Sequence, residues 1–435
     1  MHIAEKSGYG SKKDEGDSEL LRLLEKSAEY LIGQVGDTGY TQASAEYELY
    51  KPHWFRDTSF IANSLLKFSF FEYNKNAELA ERSKNAADRI IDFNLKAIER
   101  YEQHIKRAIE IPYENQQEFN SMDSHIPARV GKDLSLYKNF NQLLMMDDST
   151  SSNRWLIQYD TIPLILMSLH TEYKLFGLSA GKIAFLDKHA EIIAEYLGKV
   201  YQTPSANAWE VDYGYIHSYD ISAIVKAHNI LKEFSRNGII SISEEMLDNI
   251  FNTLYKHGGI LGALRYMIAD GVLYGRREPY KAVDTQVGVD SEEIFIFTRF
   301  GITDAELGYG VEEKTMQKIN EELFSGNMLP IRSLRDTYFT GGRWLLLGLE
   351  YAIYEIGKGD IENAIKRIDY ITSKYGDSMP EQEILNPANP GKDDGGFLAL
   401  NGGKPIQKLN WSYAALIEAI IELEQAKEKK SLLRV

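Results

Sequence analysis

Six helical segments that are apolar on almost every side alternate along this chain with six that are amphipathic. The apolar set runs roughly over 57–71, 160–174, 219–234, 291–299, 342–356 and 411–424, and the amphipathic set over 18–33, 76–102, 183–199, 243–256, 312–323 and 360–374. Between Trp344 and Ile356 the only polar side chains are Glu350, Tyr351, Tyr354 and Glu355. A helix of that kind must be covered on all sides, whereas an amphipathic one buries a single stripe, such as Leu20, Leu21, Leu24, Ala28 and Leu31. The simplest packing that serves both is a ring of six inside a ring of six, an all-α (α/α)6 toroid; the plain alternative is an irregular helical protein. The expected layout is a flexible segment over 1–17, one domain over 18–428 with a long insertion near 104–156, and a tail over 429–435. Ser18 and Ser243 are expected N-caps and Gly33 a C-cap. Short strands fit only Gly238–Ser243 and Gly271–Tyr274.

Composition narrows the function. The net charge is −15 over 435 residues, which argues against nucleic acid or an anionic membrane as partner, since both need a basic face. There is no Cys, so thiol catalysis, Cys-ligated zinc, iron–sulfur clusters and disulfide scaffolds all drop out. The nine His include no i, i+4 pair and no His-x-His. No metal and no cofactor are therefore expected. With no secretory signal or long apolar run, a cytoplasmic protein is expected.

The unusual residues gather where the chain enters each apolar helix. These entries read Tyr50-Lys-Pro-His-Trp-Phe-Arg-Asp57, Asn153 to Asp160, Trp209 to Asp220, Val289-Asp-Ser-Glu-Glu293, Arg332 to Gly342 and Leu409-Asn-Trp-Ser412. In a toroid they converge on one mouth and line it with aromatic, charged and amide groups. Taken singly, Asp57, Asp160, Asp220 and Ser412 also read as helix N-caps. The stretch 104–156 breaks the alternation, and a loop that long reads as a flap beside the pocket or as a contact in a homo-oligomer. A second loop, Asn389–Lys408, is Gly-rich.

Other motifs are incomplete. Asp147-Asp148 lacks a third carboxylate at Ser151, and Gly258-Gly-Ile-Leu-Gly262 lacks the Lys-Ser/Thr of a phosphate loop. Carboxylates among aromatics remain. Glu210 follows Trp209, and an apolar neighbour raises a carboxyl pKa as a general acid requires. Glu381 lies just before the last entry. Two carboxylates on different entries to one mouth suit glycoside hydrolysis, although either alone reads as an ordinary surface Glu.

From about Tyr50 to Tyr413 the chain resembles glycoside hydrolase family 15, the glucoamylase and glucodextranase family. Tyr50-x3-Trp54-x-Arg56-Asp57 is similar to the family's segment that grips the 4- and 6-hydroxyls of the non-reducing-end glucose. Ile157-Gln-Tyr-Asp160 resembles its Pro-Gln-x-Asp, and Trp209-Glu210 the pair that presents the general acid. Arg332-x3-Asp336-Thr-Tyr338 followed by Gly341-x2-Trp344 resembles the segment whose Arg contacts the same glucose. Glu381-Gln382 resembles the Glu-Gln that holds the catalytic water, and Leu409-Asn-Trp-Ser-Tyr-Ala-Ala-Leu416 is similar to Leu-Thr-Trp-Ser-Tyr-Ala-Ala. Three positions depart. Val211 stands where fungal members carry a second Glu, the Trp near the Pro-Gln motif is shifted to Trp155, and Glu381 to Trp411 is longer.

The resemblance implies a toroid of the six-hairpin glycosidase kind and an inverting, exo-acting α-glucosidase. Glu210 is then the acid and Glu381 the base, and substrate is bound by Tyr50, Trp54, Arg56, Asp57, Trp209, Arg332, Gln382 and Trp411. The short form is similar to single-domain members acting on small α-1,6 or α-1,4 gluco-oligosaccharides such as isomaltose. A trehalase, a glycoside phosphorylase and a non-catalytic glycan-binding or regulatory toroid are the alternatives.

Overall fold

The computed structural model describes residues 10–112, 115–119, 121–136, 157–210, 214–252, 259–279, 281–283, 285, 288–336, 338–376, 378–383 and 404–432. Twelve helices among them build the rings. The inner six are α2 (Phe55–Glu72), α4 (Thr161–Phe176), α6 (Ser218–Arg236), α8 (Glu293–Thr298), α10 (Leu345–Gly357) and α12 (Asn410–Leu432). The outer six are α1 (Gly10–Gln34), α3 (Ala77–Arg100), α5 (Ala180–Val200), α7 (Glu244–Asn252), α9 (Val311–Ile319) and α11 (Ile361–Tyr375). Each inner helix packs against the next, and α12 closes the circle against α2. The fold is thus an (α/α)6 toroid. Every residue of α12 from Asn410 to Ile421 is buried, as its apolar circumference requires. None of the described helices is long and apolar enough to cross a membrane.

Several local expectations shift. The first helix begins at Gly10, so Ser18 lies inside it and cannot cap it, and it runs past Gly33 to Gln34. The last helix extends to Leu432, into the span expected to be a tail. Ser243 does cap α7, its hydroxyl accepting from Met246 N at 3.2 Å. A two-residue hairpin pairs Ile268–Ala269 with Val272–Leu273 through Asp270 and Gly271, both at positive φ (53° and 77°) as a type I′ turn demands. Residues 238–243 form bends rather than a strand. Part of the 104–156 stretch is ordered chain: a helix over Glu102–Glu110 leads to Arg129–Val130, which pairs with His53–Trp54. Asp147, Asp148, Trp155, Val211, Asp212 and most of Asn389–Lys408 lie outside the described residues.

Short antiparallel ladders fix the entries to the inner helices. His53–Trp54 pairs with Arg129–Val130 just before α2, Ile216–His217 with Arg276–Arg277 just before α6, and Arg343–Trp344 with Gln382–Glu383 just before α10. The entry side chains therefore project from paired backbone rather than from free loops.

Candidate active site

The four residues that could have been N-caps do other work. Asp57 and Asp220 sit inside the first turns of α2 and α6. Asp160 holds the cap position of α4 but makes no capping bond. Its Oδ2 instead accepts from Arg56 Nε at 2.6 Å. Ser205 donates to Asp220, and Ser412 donates to Pro380 O at 3.2 Å. Helix capping does not explain these polar residues.

Arg56 is the organiser. Its Nη2 donates to Gln158 Oε1 at 2.5 Å and its Nη1 to Ala208 O at 2.6 Å. The first turn of α2 is thereby tied to the entry of α4 and to the turn that carries Glu210. Of the five donors of a guanidinium, three are used by partners among the described residues. That turn is tight. Glu210 N donates to Asn207 O at 2.9 Å, and Trp209 N to Asn207 Oδ1 at 3.1 Å. Glu210 itself has φ +64°, a left-handed conformation that is costly for a non-glycine residue. Strain of that kind persists only where the surroundings over-determine it, which is typical of working sites.

On the other side, Tyr50 donates to Glu381 Oε1 at 2.6 Å, and its hydroxyl lies 2.5 Å from that of Tyr338. A phenol has one proton to give, so Tyr50 accepts from Tyr338 and passes its own proton towards Glu381. Glu381 Oε2 has no partner among the described residues. Arg332 donates to Asp336 Oδ1 at 2.6 Å and lies 5.7, 5.1 and 5.4 Å from the ring centres of Trp209, Tyr338 and Trp344. This aromatic collar holds a cation rigidly.

The two halves share one electrostatic environment. Burial raises Glu210 to about 7, opposed by the charges of Arg56 and Arg129 and reinforced by Asp57. Burial raises Glu381 to about 8, opposed by Tyr50 and Arg332 and again reinforced by Asp57. Asp57, likewise raised to about 7 by burial, thus acts on both carboxyls, and both act on Tyr338. Glu210 keeps part of its surface open, whereas Glu381 is 3% exposed. Burial lifts both groups and does not separate acid from base. Their bonding differs: Glu381 terminates a tyrosine chain as acceptor, while Glu210 is reached by the amide of Gln158.

Two sequence candidates stand apart. Gln382 is fully buried with neither amide atom hydrogen-bonded among the described residues, and it packs so closely on Gly342 that a Cβ there would lie 2.2 Å from its Oε1. Its backbone pairs with Trp344, whereas Glu381 lies in the bend just before the strand. Trp411 stacks on Phe60 and Phe295 at 4.8 and 5.4 Å and is 5% exposed, so its ring belongs largely to the core. Trp54 is buried with Arg129 4.8 Å over its ring. Sequence reasoning passed over Arg129, which lies in a stretch without periodicity. It also passed over Gln158, Tyr338 and the anchoring role of Asp160, although these stood within the quoted motifs. Among the described residues no cluster could hold a metal ion.

The raised carboxyls have a stability consequence. A carboxyl with a folded-state pKa above its unfolded value takes up a proton on folding, so its contribution is full at low pH and is lost as pH rises. For Glu381 the window runs from about 4.3 to about 8. Glu381→Gln should therefore unfold at a higher temperature than wild type at pH 8, by a few degrees, with the gap closing by pH 5. Thermal unfolding at the two pH values checks this, and a pH-independent gap would contradict it.

The sequence model described as "Glycosyl hydrolases family 15" matches residues 24–330. No curated protein matches the chain. Among solved structures, one titled "Glycosidase Wild Type" is similar at TM-score 0.68 and 18% identity, covering 94% of this chain and 98% of that one. A variant titled as a glycosidase in complex with glucose matches at TM-score 0.69 with the same identity and coverage. A glucoamylase from Saccharomycopsis fibuligera is similar at TM-score 0.53 and 14% identity, over 94% of this chain and 96% of its own. At these identities the structures speak for the fold. The sequence match spans most of the chain and carries the family, so this toroid belongs to the glycosyl hydrolases of family 15 and is a glycoside hydrolase.

Proposed function

We propose that the chain is an inverting, exo-acting α-glucosidase that releases glucose from the non-reducing end of small α-glucosides. The observation that supports this most is the pair Glu210 and Glu381, carried on different entries and near enough to act on the same Tyr338 and to feel the same Asp57. One lies on a strained turn with part of its surface open, and the other accepts a tyrosine hydroxyl on one oxygen, its second having no partner among the described residues. Glu210 donates its proton to the glycosidic oxygen as the bond to the anomeric carbon breaks. Glu381 Oε2 takes a proton from a water attacking the opposite face, and β-glucose leaves. The remaining donors of Arg56, the carboxyl of Asp57 and the guanidinium of Arg332 bind the hydroxyls of the terminal glucose. Trp54, Trp209 and Tyr50 shape the walls.

The resemblance of the entry motifs to family members that cleave small α-glucosides makes α-1,6 or α-1,4 linkages, as in isomaltose, the substrates of this reading. The deciding experiment is hydrolysis of isomaltose, maltose and trehalose in phosphate-free buffer, with the anomer of the first-formed glucose followed by NMR or polarimetry. β-Glucose from isomaltose or maltose is expected. Release of α-glucose, turnover confined to trehalose, or a requirement for phosphate would each overturn the proposal.

A further inference from the structure

The segment entering α8, Val289 to Glu293, has no part in the chemistry above, yet it grips the turn that carries Glu210. Trp209 Nε1 donates to Asp290 Oδ1 at 2.6 Å, and the same oxygen accepts from Glu292 N at 3.0 Å. Glu292 Oε2 accepts from Ala208 N at 3.3 Å. The peptide of Ala208 is therefore held from both sides, by Arg56 on its carbonyl and Glu292 on its N–H. Asp290 is itself fixed. Its N donates to Glu293 Oε2 at 2.9 Å, and it bridges to Ser333, next to Arg332. Glu292 and Glu293 are almost wholly buried, and neither is ion-paired to Arg or Lys among the described residues.

We infer that Asp290 is a positioning residue for the general acid: by anchoring the indole of Trp209 it keeps the 207–210 turn in its left-handed form and so holds Glu210 where it can reach the glycosidic oxygen. The inference rests on the assignment of Glu210 as the acid. Asp290 meets no substrate itself and acts through Trp209. The strained residue supplies the reason such an anchor is needed. Glu210 at φ +64° relaxes towards ordinary backbone once its neighbours loosen. Misplacing a catalytic group by about 1 Å costs about 100-fold in rate.

The test compares a disaccharide that needs protonation of its leaving group with α-glucosyl fluoride, whose fluoride departs without it. Asp290→Ala should lower kcat on the disaccharide by about 10- to 100-fold, with KM little changed, and leave turnover of the fluoride close to wild type. Asp290→Asn keeps the acceptor and should restore most of the loss. In an NMR spectrum the indole N–H resonance of Trp209, identified with Trp209→Phe, should move in Asp290→Ala and stay in Asp290→Asn. Equal losses on both substrates, no loss on either, or an unmoved indole resonance would overturn the inference. Glu210→Gln in the same assay separates the two claims. If it shows the substrate split and Asp290→Ala does not, only the positioning role fails. If Glu210→Gln hydrolyses the disaccharide normally, the acid assignment fails.

Discussion

Glu210→Gln should lose about 100- to 10,000-fold in kcat on unactivated disaccharides, the range that a positioned acid contributes, with KM nearly unchanged. The side chain is almost isosteric, so binding survives while the transferable proton is lost. The raised pKa of about 7 gives the pH sign. Activity needs Glu210 protonated and Glu381, raised to about 8, ionised. Wild-type activity on the disaccharide should therefore peak between the two values and fall at higher pH, and a glucosyl fluoride substrate should escape that alkaline fall. Steady-state kinetics with both substrates from pH 5 to 10 measure this. Comparable losses on both substrates would mean that Glu210 binds sugar rather than protonating it.

How much of this was legible in the sequence depends on which force decided each feature. The ring was legible because burial is written into composition along a helix. Residues 342–356 and 411–424 are apolar all round and end up enclosed all round. The mouth was legible because polar and aromatic residues at every inner-helix entry had to share one place. Helix ends were less so. Ser18 looks like a cap, but the stretch before it, Gly10 to Asp17, continues the helix, and local capping preference is a weak signal against an extended helix. Asp57, Asp160 and Asp220 were read equally well as caps; Asp57 and Asp220 lie inside their first turns, and a distant partner decides the case of Asp160. The partner of Asp160 lies 104 residues away in sequence at Arg56, beyond any local pattern.

Within the site, side-chain identity was easier to read than side-chain direction. Glu381 and Gln382 are neighbours in one motif, yet Glu381 meets Tyr50 while Gln382 packs against Gly342. Trp411 has the composition of a pocket wall and the surroundings of a core residue, because Phe60 and Phe295 compete for its ring. Arg129 could not be found at all from pattern. It reaches Trp54 and Glu210 only because two-residue strands 76 positions apart pair in register (129 − 53 = 76).

Arg56→Met should cost the fold about 3–5 kcal/mol, because it strands a buried carboxylate rather than removing a pair. Arg56 is 4% exposed and Asp160 0% exposed, and no other ion pair to Asp160 occurs among the described residues. The loss reaches beyond the pair. The same guanidinium joins the start of α2 to Gln158 ahead of α4 and to Ala208 ahead of α6, so three consecutive inner-helix entries share one side chain. Removing the orphaned charge as well, in Arg56→Met with Asp160→Asn, should recover a substantial part of the stability. Activity should not return with it, since the terminal glucose has lost the donors of Arg56 and the carbonyl of Ala208 still lacks its own. Denaturant unfolding and disaccharide kinetics on wild type, single and double variants test this. A double variant as unstable as the single one would show that the stranded charge is not the cause. A double variant that regained full activity would show that Arg56 neither positions the acid through Ala208 nor binds the terminal glucose.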